Sequence, residues 1–354
     1  MDLFTPVVEP SKFHPAFARV IAQENRFNEQ VLKNWADGFE DRDGKFVKEF
    51  QTTFDSSFWE LYLHAVLKEV GCEIDFSHAR PDFCVTSPFA FNVEATVALH
   101  AEGSEPATNA YAPQSPIDLK EFNRQAILRL ANSISSKSRK HLGSYSKLDH
   151  VRRRPFVLAV APFDRPGFWL QVNRAIEAYL FGHYVDESKG TLGELIRNGP
   201  EVSQIASVQK ALDTEVGMGI FLDDTHAHIS AVIFSNCATW SKVSALSEDP
   251  NPSVIFDTIH YNPNGIRPFT SRHLKSAHKE HLMDGLRIYH NPFASEPLRT
   301  ELFSDERIFQ SYYDSENEAW RYQASRKNLL FRNSLKIVST EEYEAIMSRL
   351  PKES

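Results

Sequence analysis

The chain has 354 residues, 42% of them hydrophobic and 24% charged, enough for a packed globule of one large domain or two ordinary ones. No run of about 18 apolar residues occurs, so no membrane span is expected. The formal net charge of −8 argues mildly against a protein that coats nucleic acid non-specifically, because phosphate contacts come from Lys and Arg.

The amino-terminal stretch "MDLFTPVVEPSKFHP" lacks a basic start followed by an apolar core, so it does not read as a secretory signal. Cys72, Cys84 and Cys237 lie far apart and form no CxxC pair, which fits a reducing, cytoplasmic setting of bacterial type. Residues 14 to 36 read as one amphipathic helix ending near Gly38. The polar link "EDRDG" then leads into a second helical stretch. "DSSFWELYLHAVLKEVG" is the clearest helix in the chain, with Asp55 as its N-cap and Gly71 just past its end. Strand signals follow at 82 to 86 and 90 to 98, divided by Ser87-Pro88. A Pro-, Ala-, Ser- and Asn-rich loop spans 101 to 116. Ser115, Pro116 and Asp118 read as cap, first helical position and first-turn acid of a helix running to about 140.

"PFVLAVAPF", residues 155 to 163, is a nearly continuous apolar run bounded by prolines, the pattern of a strand buried on both faces. A helix is expected at 168 to 182, while 186 to 213 carries no clear pattern. "MGIFLDDTHAHISAVIFSN" reads as a strand, a turn at Asp223-Asp224 and a second strand. From about 245 the chain reads as loop-rich, with a short helix near 340 to 349. Alternating helices and strands point to an α/β fold, a mixed central sheet flanked by helices.

The helix over 55 to 70 is apolar almost all round and therefore buried. Its polar exceptions, Glu60, His64 and Lys68, recur at one helical spacing. A carboxylate in such a helix needs a partner or a metal; a salt bridge or a solvent-facing stripe is the plain alternative. In the second strand Val93, Ala95 and Val97 point one way, and Asn92, Glu94 and Thr96 the other. If the two strands form a hairpin, Asp82 and Glu94 approach one another, and Glu60 can join them from a packed helix. Carboxylates so grouped hold Mg²⁺ through one or two oxygens each. Without a cation, their mutual repulsion raises their pKa values.

Glu60 on a helix, Pro81-Asp82, and Glu94-Ala95-Thr96 together resemble the PD-(D/E)XK nuclease superfamily, with its restriction-endonuclease-like fold. The resemblance covers roughly residues 50 to 165. It implies a nuclease-like core there, an amino-terminal helical segment over 1–49 and a carboxy-terminal α/β elaboration over 166–354 packed on the core. It implies that Asp82 and Glu94, with Glu60, bind Mg²⁺ or Mn²⁺, and that the activity is endonucleolytic hydrolysis of nucleic acid, DNA first, in a restriction or defence role. The superfamily carries a lysine two residues after the Glu. Here Thr96 stands there and cannot carry a charge. Lysines migrate to neighbouring elements in this superfamily. Leu119, Phe122, Ala126, Leu130 and Ser133 mark the inward stripe of the helix at 116 to 140, which Lys137 continues, with Gln125 beside it. Lys137 is the expected replacement, and Lys68 is the weaker choice. The alternative is an inactive nuclease-fold protein that binds or regulates, alone, as a homodimer or with a partner subunit.

The basic run "SKSRKHLGSYSKLDHVRRRP", from Ser136, could face phosphates or be a solvated helix end. His226-x-His228 with Asp223 and Asp224 reads as a polar turn more than a metal site. His273, His278 and His281 could share a helix face, without the Cys or acidic pattern of a closed zinc site. Cys84 reads as an inert core thiol.

Overall fold

A computed structural model describes residues 1–22, 26–100, 107, 118–186, 201–211, 213–250, 253–336 and 341. The expected loop at 101 to 116 and the helix near 340 to 349 lie outside these residues, apart from Ala107 and Glu341.

The helices are α1 (Pro15–Val20), α2 (Arg26–Trp35), α3 (Phe46–Thr52), α4 (Asp55–Glu69), α5 (Leu119–Gly143), α6 (Arg174–Phe181) and α7 (Trp240–Leu246). The first strands are β1 (Glu73–Asp75), β2 (Phe83–Ser87), β3 (Phe91–Val97) and β4 (Phe156–Ala161). Then come β5 (His183–Val185), β6 (Val202–Gln204), β7 (Ser207–Ala211), β8 (Thr214–Gly217) and β9 (Ala231–Phe234). The rest are β10 (Val254–His260), β11 (Phe269–Leu274), β12 (Arg287–His290), β13 (Phe309–Asp314), β14 (Ala319–Gln323) and β15 (Leu329–Lys336). A mixed eight-stranded sheet runs β1-β2-β3-β4-β9-β12-β13-β14, so its strands come from both sides of residue 165. A three-stranded sheet, β11-β10-β15, stands beside it.

The α/β class follows from two cores, one on each face of the large sheet. On β4 every residue is buried. Val157, Ala159 and Ala161 join the core under α1 to α4, whereas Phe156, Leu158 and Val160 join the one under α5 and α6. Each fully buried large aliphatic side chain contributes about 1.5–3 kcal/mol, so Val157, Leu158 and Val160 let β4 anchor both cores. Helix α4 is packed against this sheet from the other side. Its Trp59 Nε1 donates to Ala159 O at 3.1 Å, and its Tyr62 hydroxyl donates to Leu282 O at 3.1 Å. Gly71 ends it at φ +80°, with Cys72 N donating back to Leu67 O at 2.9 Å, the geometry that favours glycine there.

Several expected elements differ. The helix over 14 to 36 is two helices, α1 and α2. Asp55 is the first residue of α4, and Phe54 stands at the cap with no side-chain bond. Asp118 is the N-cap of α5 rather than a first-turn acid, its carboxylate accepting from Lys120 N and Glu121 N. A 3-10 turn, Phe168–Gln171, precedes α6 where one helix was expected. The strand expected at 218 to 222 lies earlier, as β8. The region after 245 is not mainly loop: its described residues supply six strands.

Candidate active site

Strands β2 and β3 do pair as an antiparallel hairpin, with Phe83 opposite Val93 and Cys84 opposite Asn92. One step further in that register, Asp82 comes level with Glu94. The Asp82 Oδ2 accepts from Ala95 N at 2.7 Å, which fixes the carboxylate against β3. Arg42, from the polar link before α3, donates to the carbonyls of His78 at 2.7 Å and Pro81 at 3.1 Å. It thereby holds the loop that delivers Asp82.

Strand parity sends Val93 and Ala95 into the α1–α4 core and Glu94 toward α5. Glu94 is 1% exposed. Its Oε1 accepts from Lys137 Nζ at 2.6 Å, Lys140 Nζ at 3.3 Å and the Tyr145 hydroxyl at 3.2 Å. Its Oε2 is buried with no hydrogen-bond partner among the described residues. Lys137 reaches it because the inward stripe of α5 runs as expected from Phe122 through Ala126 and Leu130. Ser133 hydroxyl donates to Val97 O at 3.1 Å one turn earlier. Leu119, at the start of that stripe, is exposed.

Glu60 approaches from α4, on the opposite face of the sheet from α5. Burial, and then the charge of Asp82, push its carboxyl up to about 8. Burial, and then Glu94, push Asp82 up to about 6, against the pull of Lys137, the Ala95 amide and Arg42. Burial and the Glu94 carboxylate also raise the Tyr145 phenol, so it stays a donor. Asp82 is thus the link between the other two acids: its charge acts on Glu60, and that of Glu94 acts on it. The three do not close into a cage: among the described residues no group of three or more His, Cys, Asp or Glu side chains is arranged to hold a metal ion. The expected three-acid metal cluster is corrected to an Asp82–Glu94 pair with Glu60 behind it.

The other polar exceptions of α4 turn away. His64 Nδ1 meets Trp35 O at 2.7 Å, and Lys68 Nζ pairs with Asp37 at 3.1 Å. Lys68 thus turns to Asp37, and Gln125 bonds Glu121 within its own helix. Asp223 caps its own turn at Thr225 N. His273 lies on β11, His278 pairs with Glu280 and His281 with Glu69, so the three share no helix face. Cys84 is a buried free thiol. Sequence reasoning missed Lys140, Tyr145 and Arg42. The first two lie in the quoted basic run, Lys140 three residues after Lys137, and that spacing was a usable signal.

Compared with protein-family models, with curated proteins and with solved structures, the chain matches none of them.

Proposed function

We propose that the protein is a metal-dependent nuclease that hydrolyses phosphodiester bonds of nucleic acid, DNA first. The observation that carries this reading is Lys137. An ammonium from the neighbouring helix sits 2.6 Å from Glu94, two residues before Thr96, the position at which the resembled superfamily carries a lysine. The residues fit a divalent cation: Glu94 offers a buried, unpartnered carboxylate oxygen, and Asp82 and Glu60 are pushed up by burial first and by a neighbouring carboxylate second, both of which a bound cation would offset. Mg²⁺ usually keeps several waters and takes one or two carboxylates, so an acid pair suffices. Asp82 and Glu94 would hold it, and bound there it supplies Lewis acidity toward phosphate oxygens and an acidified water.

The chain's own groups do the rest. Lys137 and Lys140 bring positive charge to the oxygens of a phosphate, and Lys137 holds Glu94 in place until a substrate arrives. Tyr145 donates to Glu94 and orients it. The Ala95 amide fixes one Asp82 oxygen. Glu60, pushed up to about 8 by burial and then by Asp82, keeps its proton at neutral pH and so adds no second negative charge beside Asp82.

The test is cleavage of single- and double-stranded DNA and RNA with Mg²⁺ or Mn²⁺, together with calorimetric Mn²⁺ titration. Lys137→Ala should keep the metal and lower cleavage by about 10²–10⁴-fold, the usual effect of losing one acid–base or charge-stabilising group. Asp82→Ala and Glu94→Ala should each weaken Mn²⁺ binding sharply. Unchanged Mn²⁺ affinity in both would remove the site. Thr96 favours one second reading, a fold-retaining binding or regulatory subunit. Metal binding without any cleavage by the wild type would select it.

A further inference from the structure

Next to Lys140 in sequence, His141 lines a pocket of about 210 Å³ that the scheme above does not use. Its lining includes His141, His228, Glu296 and the consecutive Arg152, Arg153 and Arg154. His141 follows Lys140 on α5 and stacks on Phe156, the first residue of β4, with ring centres 3.9 Å apart. It is 7% exposed, yet its Nδ1 is buried with no hydrogen-bond partner among the described residues. His228 Nε2 meets the Ser138 hydroxyl at 2.7 Å. A tight turn delivers the arginines: Arg152 N donates to Leu148 O at 2.9 Å, and Arg154 N to Val151 O at 3.2 Å. Arg152 has a weak exposed partner in Asp149 at 3.5 Å, while Arg153 and Arg154 have no ion-pair partner among the described residues. Glu296, also in the lining, is exposed.

We infer that this pocket binds a phosphate group of the strand on which the neighbouring acids act. The inference rests on the nuclease reading for the source of the phosphate, but not for the pocket itself. Guanidinium groups match phosphate oxygens bidentately, and three consecutive arginines line this one pocket. Burial, and then the neighbouring imidazole, hold His141 and His228 down to about 4, so both are neutral in the free protein near pH 7. Neutral rings leave the arginines as the charge that draws the anion. Adjacency along α5 gives the pocket its use: a phosphate held beside His141 fixes the strand relative to Lys140, Lys137 and Glu94.

Full-length protein labelled in its histidine rings is titrated with inorganic phosphate by NMR, against chloride of equal ionic strength. The His141 and His228 resonances should shift and saturate. In the Arg153→Asn, Arg154→Gln double variant, the apparent Kd should rise by about tenfold or more, the scale of losing charge-assisted bonds. Asn is chosen because Arg153 sits at φ +60°, which Asn tolerates. Resonances that stay still, or move identically in the double variant, overturn the pocket. The source is read by anisotropy in chelator, with 5′-phosphorylated and 5′-hydroxyl oligonucleotides. A preference for the phosphorylated end that the double variant loses marks a terminal phosphate. Equal binding of both that weakens in the double variant marks a backbone phosphate. Phosphate shifts with no oligonucleotide binding keep the pocket and overturn its assignment to nucleic acid.

Discussion

Glu60→Gln isolates the electrostatic cost of grouping acids without a cation. In the folded protein the Glu60 carboxyl titrates near 8 rather than 4.5, so the folded state holds its proton more tightly than the unfolded one. Its contribution is therefore fully present below about pH 4.5 and is lost as pH rises through about 8. At about 1.4 kcal/mol per pKa unit the full shift corresponds to roughly 5 kcal/mol. Relaxation and water penetration around the ionised group reduce this, leaving about 2–5 kcal/mol. Gln is neutral at every pH and nearly isosteric. The two proteins should be alike near pH 4.5, and the variant should be the more stable by about 2–5 kcal/mol above pH 8. His141 and His228, held low by burial, act in the opposite direction, with stability lost as pH falls toward about 4. Both proteins share that contribution, so the difference between their curves removes it. Urea unfolding in chelator, repeated across this range, reads the difference directly. Parallel stability curves for wild type and Glu60→Gln would refute the raised pKa and, with it, the electrostatic coupling of Glu60 to Asp82.

Three further substitutions probe the surroundings. Tyr145→Phe removes one donor from the buried Glu94 oxygen and should cost about 1–2 kcal/mol in urea unfolding. Lys242→Met takes one cation from a fully buried group in which Lys242 and Arg332 flank Glu280 and His278 adds a hydrogen bond. It should cost about 3–5 kcal/mol, read as a lowered urea midpoint. Gly71→Ala meets no atom within 4 Å but must adopt φ +80°, so it should cost only about 1 kcal/mol by the same assay.

The parts of the fold legible in the sequence were those with one dominant signal. Helix α4 is apolar all round, β4 is an uninterrupted apolar run, and β3 alternates cleanly, which was enough to send Glu94 to one face and Val93 to the other. The side of α5 that carries Lys137 was legible for the same reason, a stripe at helical spacing. The strands after residue 245 were not. "FTSRHL" and "AWRYQ" lie mostly at intermediate or full exposure and carry too few aliphatic residues for period-two contrast to stand out. The His273, His278 and His281 spacing suggested a helix only because that contrast was missing. The division of α1 from α2 left no proline or glycine to mark it. Arg42 was hidden for a different reason: its partners are carbonyl groups, and a sequence shows no backbone carbonyl as a ligand.

Arg42 also ties together segments that a sequence would separate. Its guanidinium, in the link between the second and third helices, bridges the two carbonyls that flank the approach to Asp82. The amino-terminal region is thus a brace for the acid pair, and a chain shortened to begin at residue 50 would keep every acid while losing the tether that sets where one of them stands. A list of its acidic residues alone would pass such a fragment as complete; its geometry would not be.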